Sequence, residues 1–239
     1  MKLVVCKNYE EMSEKAAAIL ADIVKSKPDC VLGLATGSTP VGMYTKLGEM
    51  CQAGELDFSR VKSVNLDEYY PISPENEQSY RYFMNEKLFD NINIDKANTY
   101  VPDGSAADPD KACAEYEKIV DSMGQVDIQV LGIGHNGHIG FNEPADKLHP
   151  LTHVTDLTES TINANVRFFN SIDEVPTRAL TMGIGTILRA KKIIILANGE
   201  GKRAAVRKML EGMLDCSCPA SMLNVHPDVV VICDEAAYN

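Results

Sequence analysis

The chain has 239 residues, with 34 Asp and Glu against 23 Lys and Arg and a net charge of -11. Charged residues are 24% and hydrophobic ones 45%, as in ordinary globular proteins. The acidic balance argues against nucleic acid and against docking on anionic lipid, both of which need a clustered basic surface.

Lys2 to Cys6 opens the chain as a short apolar strand, with no signal-peptide pattern around it. A helix over Tyr9 to Lys25 follows, its Met12, Ala16, Ile19, Leu20 and Ile23 recurring at helical spacing. Cys30 to Ala35 reads as a buried strand running into Thr36-Gly37-Ser38-Thr39-Pro40. There Thr39 suits an N-cap and Pro40 the first helical residue, ahead of a helix through Val41, Tyr44, Leu47 and Cys51. Val61 to Leu66 is the next strand, ending at Asp67-Glu68-Tyr69-Tyr70, and Ser79 to Leu88 and Asp110 to Met123 read as helices. Val126 to Ile133 is an apolar strand ending in glycines. Ala179 to Met182, Lys192 to Ala197 and Pro227 to Cys233 continue the strand series, with helices from about Gly183 and Gly201. No apolar run approaches the ~20 residues of a membrane span. The alternation predicts an α/β fold: one domain over 1–239, an open, mainly parallel sheet with helices on both faces. Seven cysteines without a repeated CxxC fit reduced thiols, so the expected setting is cytoplasmic.

In such sheets ligands sit beyond the carboxyl ends of the strands, where loops lead into helices. Three segments there carry chemistry. Thr36, Gly37, Ser38 and Thr39 form a small-residue loop at a helix start, suited to an anion but also explicable as a plain helix cap. It is neither a Walker A loop nor a GxGxxG dinucleotide loop. Asp67 and Glu68, flanked by aromatics, suit a base in a desolvated pocket, although a solvated acidic loop is the commoner explanation of such a pair. The third segment is Gly132-Ile133-Gly134-His135-Asn136-Gly137-His138-Ile139-Gly140-Phe141-Asn142-Glu143-Pro144. His138 with Glu143 suits an acid/base pair; a metal site is the competing reading, without an HExxH helix or paired cysteines to support it. Two cations, Arg167 and Lys202, lie in NVRFF and NGEGKR stretches; Lys202 at a helix start opposes the helix dipole unless an anion binds there.

Together TGSTP, NLDEYY, NEQSYRYFMNE, LGIGHNGHIGFNEP, NVRFF and NGEGKR resemble the glucosamine-6-phosphate deaminase family over essentially the whole chain. The related 6-phosphogluconolactonases share the fold but are not expected to carry Phe-Asn-Glu-Pro after the histidine. The resemblance implies that Asp67 accepts the C2 proton and returns it at C1. It makes His138 the ring-opening group with Asn136 and Glu143 as companions, and Thr36, Gly37, Ser38, Thr39, Arg167 and Lys202 the holders of the 6-phosphate. It implies no cofactor and no metal, glucosamine 6-phosphate as substrate, and a monomer or small homo-oligomer. Some longer members carry Asp where this chain has Asn136; a neutral amide leaves Glu143 to stabilise an imidazolium. Longer members are also activated by an N-acetylated sugar phosphate bound through an Arg and a Lys. Those positions fall here on His153 and Thr155, and the chain stops at Asn239, so hyperbolic kinetics are expected. A sugar-phosphate lactonase and a non-catalytic sugar-phosphate sensor are the alternatives.

Overall fold

A computed structural model describes residues 1–158, 162, 166, 171 and 175–239. Among the described residues ten strands are β1 (Lys2–Cys6), β2 (Val31–Leu34), β3 (Lys62–Asn65), β4 (Asp67–Tyr70), β5 (Thr99–Tyr100), β6 (Ile128–Gly132), β7 (His153–Asp156), β8 (Arg178–Thr181), β9 (Ile193–Ala197) and β10 (Val229–Asp234). The helices are α1 (Tyr9–Ser26), α2 (Val41–Gln52), α3 (Tyr80–Lys87), α4 (Pro109–Ser122), α5 (Ile184–Leu188), α6 (Arg203–Leu210) and α7 (Glu235–Tyr238). Seven strands form one parallel sheet in the order β1-β10-β9-β6-β2-β3-β5. Its centre reads as continuous apolar runs because both faces are covered: every residue of β9 and of β10 is buried.

Local chemistry sets the helices. Asn8 accepts the Glu11 N–H at 2.9 Å and starts α1, which lays Met12, Ala16, Ala17, Leu20 and Val24 on the sheet. The helix stops at Lys27, before Pro28, whose ring disfavours helical backbone in the residue ahead of it. Truncating Leu20, fully buried, to Ala is worth about 2–5 kcal/mol of stability. Among the described residues no helix is long and apolar enough to cross a membrane.

Three sequence expectations are corrected. Thr39 is not an N-cap: α2 begins at Val41 with Pro40 as its flanking residue, and the Thr39 hydroxyl donates to Asn198 Oδ1 at 2.8 Å. The Arg178–Thr181 strand does not continue the parallel sheet; it is the centre of a separate antiparallel sheet, β4-β8-β7. Asp67–Tyr70 is not a loop but the first strand of that small sheet, Asp67 opposite Thr181 and Glu68 opposite Leu180. Pairing with β8 buries all four of its residues, carboxylates included.

Candidate active site

The strands β9, β6 and β2 are neighbours, so the loops after them meet above the carboxyl edge of the sheet. After β2, Tyr44 in α2 fixes the strand end: its hydroxyl donates to Ala35 O at 2.6 Å and accepts the Ala35 N–H at 3.2 Å. Gly37 then turns with φ +93°, a conformation costly for any side chain with a Cβ. Tyr9 stitches the loop to α1, donating to Ser38 O at 3.1 Å and accepting the Gly42 N–H at 2.7 Å. Gly37 and Ser38 remain exposed, Thr36 and Thr39 half-buried.

The loop after β6 is folded on itself. The Gly134 N–H donates to His138 O at 2.8 Å, and the His138 ring lies on Gly134, where a Cβ would meet it at 2.3 Å. Asn136 Oδ1 accepts the His138 N–H at 3.2 Å while its Nδ2 donates to Glu143 Oε2 at 2.6 Å. Those partners fix the amide's orientation, since only Nδ2 can donate to a carboxylate. The other carboxylate oxygen, Oε1, stands 3.2 Å from His138 Nδ1 without the alignment of a hydrogen bond. Glu143 is thus an anion shared by an amide and an imidazole. Two anchors hold the loop down: Asn142 Nδ2 donates to Ile139 O and Met182 O, and the Ala220 N–H donates to Gly137 O at 2.8 Å. Gly137 (φ +87°) passes so close to Cys218 that a Cβ would lie 2.5 Å from Sγ.

Asp67 is buried at the start of β4, and a Cβ on Gly140 would stand 3.4 Å from its Oδ2, so the end of the histidine loop closes over this carboxylate. Burial, then the adjacent Glu68 carboxylate, pushes the Asp67 carboxyl up to about 8. Glu68 has a different task. It accepts the N–H groups of Tyr69, Tyr80 and Arg81 at 2.8–3.0 Å, tying β4 to the first turn of α3. Burial lifts it to about 7 against the pull of those donors and of Arg81. Its grip places Tyr80 against Tyr69 (centroids 4.7 Å) and parallel to Phe141 (6.1 Å, 3°). An aromatic wall of Phe141, Tyr80 and Tyr69 therefore joins the histidine loop to α3 and β4.

After β9, Gly199 (φ +84°) donates its N–H to both carboxylate oxygens of Asp234, and Lys202 follows, half-buried. Desolvation lowers the Lys202 pKa. The Thr39–Asn198 hydrogen bond joins this loop to the one after β2. Asp67, Asn136, His138, Glu143, Thr36, Gly37, Ser38, Thr39 and Lys202 are therefore all placed at or beyond the carboxyl ends of the strands. Arg167 lies outside the described residues. Sequence reading passed over Tyr80, Asn198 and Cys218. The NEQSYRYFMNE and NGEGKR stretches contained Tyr80 and Asn198 without singling out either, and Cys218 carried no signal for the site.

Comparison with known proteins gives a consistent result. The family described as glucosamine-6-phosphate isomerases/6-phosphogluconolactonase matches residues 7–232. A glucosamine-6-phosphate deaminase of Clostridium perfringens (strain 13 / Type A) is 56% identical over 237 residues, 99% of this chain and 98% of that one. One of Clostridium beijerinckii is 56% identical over 239 residues, 100% and 99% of the two chains. A solved monomeric glucosamine-6-phosphate deaminase superposes with TM-score 0.96 at 49% identity, covering 99% of this chain and 98% of that one. The 6-phosphogluconolactonase of Thermotoga maritima superposes at 0.78 with 22% identity, over 98% of this chain and 99% of that one, and shares the fold.

Proposed function

Because the chain belongs to the family of glucosamine-6-phosphate isomerases and 6-phosphogluconolactonases, we propose that it is a glucosamine-6-phosphate deaminase, converting glucosamine 6-phosphate and water to fructose 6-phosphate and ammonia. The observation that carries the residue roles is a buried carboxylate, Asp67, beneath a loop that presents an imidazole–carboxylate pair, His138 and Glu143. A lactonase needs no carbon base; an aldose–ketose isomerisation does.

In this reading the sugar's 6-phosphate lies against Thr36, Gly37, Ser38 and Thr39, with Lys202 and Arg167 as its cations. His138 moves the proton between O1 and O5 that opens the pyranose, and Glu143 stabilises the imidazolium formed on the way. Asn136 holds Glu143 in place through its amide. Asp67 takes the proton from C2 and returns it at C1 through an enediol-like intermediate on one face. The resulting fructosimine loses ammonia to water. Anchoring by the remote phosphate supplies orientation at C1 and C2. A monomer or small homo-oligomer is supported by the monomeric relative, and a cytoplasmic setting by seven cysteines free of disulfides. His153, stacked on His149 at 4.2 Å and below its usual pKa through burial, offers no fixed charge to an activating phosphate.

The test is direct: incubate the protein with glucosamine 6-phosphate and measure ammonia and fructose 6-phosphate; formation of neither overturns the proposal. Two variants refine it. Lys202→Ala is expected to raise KM by about 10–150-fold, the worth of one charge-assisted contact to the phosphate. An unchanged KM places the phosphate elsewhere. Gly134→Ala forces the His138 ring off its seat and should lower kcat by about 10²-fold, with circular dichroism unchanged. Full activity in that variant contradicts a role for the ring's position.

A further inference from the structure

Two loops assigned above to the phosphate, after β2 and after β9, flank the loop after β6, because β6 is paired with β2 on one side and β9 on the other. The Thr39–Asn198 hydrogen bond closes the outer two loops toward each other. His135 belongs to the middle loop. Its exposed ring leans on Gly201, next to Lys202; a Cβ there would meet Cε1 at 2.8 Å and Nδ1 at 3.1 Å. Its neighbours Asn136 and His138 are engaged with Glu143, whereas the His135 ring packs on Gly201, the residue before Lys202.

We propose that His135 is a further cationic ligand of the substrate's 6-phosphate, beside Lys202, binding as the imidazolium, so that phosphate capture takes up a proton. The proposal rests on the phosphate position given under Proposed function. Among the described residues, the titratable groups acting on His135 are Lys202, from the β9 loop, and His138, on its own loop. Glu200 is turned to solvent and to Arg203, and Glu143 is occupied by Asn136 and His138. Lys202, then burial, then His138 lower the His135 pKa in the free protein. It therefore stands neutral beside the lysine, which avoids setting two bare cations together. A phosphate dianion between them reverses the sign: an opposite charge within a few ångströms favours the protonated ring. The site then gains the imidazolium charge only when the anion arrives.

The experiment is calorimetric titration of the intact protein with glucitol 6-phosphate, an unreactive open-chain hexitol phosphate, in buffers of different ionisation enthalpy at pH 7.5. The wild-type protein should take up about 0.5–1 proton per ligand bound, because the ring titrates between its free and bound pKa values. The phosphate's own pKa near 6 leaves it almost wholly dianionic there. In His135→Gln, uptake should vanish and affinity fall about 10-fold. In His135→Lys, a fixed charge should keep the affinity without the uptake. Unchanged uptake in either variant overturns the assignment to His135. If glucitol 6-phosphate fails to bind the wild-type protein, or Lys202→Ala binds it equally well, the phosphate position itself is wrong and the inference falls with it.

Discussion

Asp67→Asn is expected to lower turnover of glucosamine 6-phosphate by about 10²–10⁴-fold, the usual contribution of one positioned proton-transfer group. Asparagine keeps the shape and burial of the side chain but cannot accept a proton from carbon. Calorimetry with glucitol 6-phosphate should show binding close to that of the wild-type protein, because the phosphate loops lie elsewhere. Near-full turnover in the variant sinks the assignment. The raised carboxyl also fixes two pH signs. A base must be ionised, so kcat/KM should climb with pH toward about 8. In the complex, the substrate's ammonium beside C2 pulls the carboxyl back down, and the rising limb of kcat should lie at lower pH. Stability runs in the opposite sense. Unfolded aspartate ionises near 4 while the folded group holds its proton up to about 8, so Asp67 destabilises the fold progressively across that window. The melting temperature of Asp67→Asn should match that of the wild-type protein at pH 4 and exceed it at pH 8. A variant that melts lower at pH 8 contradicts the burial argument.

Much of this arrangement was legible in the sequence, for a physical reason. Pro227 to Cys233 and Lys192 to Ala197 read as strands, where β10 and β9 form, because burial on both faces demands continuous apolar residues. Asn136, His138 and Glu143 lie within eight positions of one loop, so local spacing alone brings them together. What was missed depends on pairing between distant segments. Asp67-Glu68-Tyr69-Tyr70 carries no strand pattern of its own and is extended because Arg178–Thr181 pairs with it. Thr39 suits a cap by type, yet its hydroxyl is taken by Asn198, far along the chain. Tyr80 reaches the site because Glu68 captures the first N–H groups of its helix, a contact with no sequence spacing of its own. Cys218 has only the bare surface of Gly137 to announce it.

His138→Gln separates ring opening from the carbon chemistry. Glutamine retains a donor and an acceptor near the ring's position, but it does not titrate near neutrality and cannot relay a proton between O1 and O5. The geometry around the imidazole sets the proton's place. Glu143 Oε1 stands 3.2 Å from Nδ1, and Asn136 Nδ2 satisfies Oε2, so the carboxylate favours a proton on Nδ1, and in this reading Nε2 serves the sugar. That carboxylate is the charge that offsets the imidazolium, a task the Asn136 amide cannot share. On glucosamine 6-phosphate, which enters as the closed pyranose, kcat should fall by about 10²–10⁴-fold. On a 5-O-methyl analogue, which cannot form the pyranose, isomerisation depends on Asp67 alone, and the loss should be under about 10-fold. Glu143→Gln should follow the same pattern with a smaller loss, because a neutral amide still orients the ring without offsetting its charge. The comparison requires both substrates with each variant, ammonia release being the readout. Equal losses on the two substrates would show that His138 also acts on carbon, and the division of labour between the loop after β6 and the start of β4 would have to be abandoned.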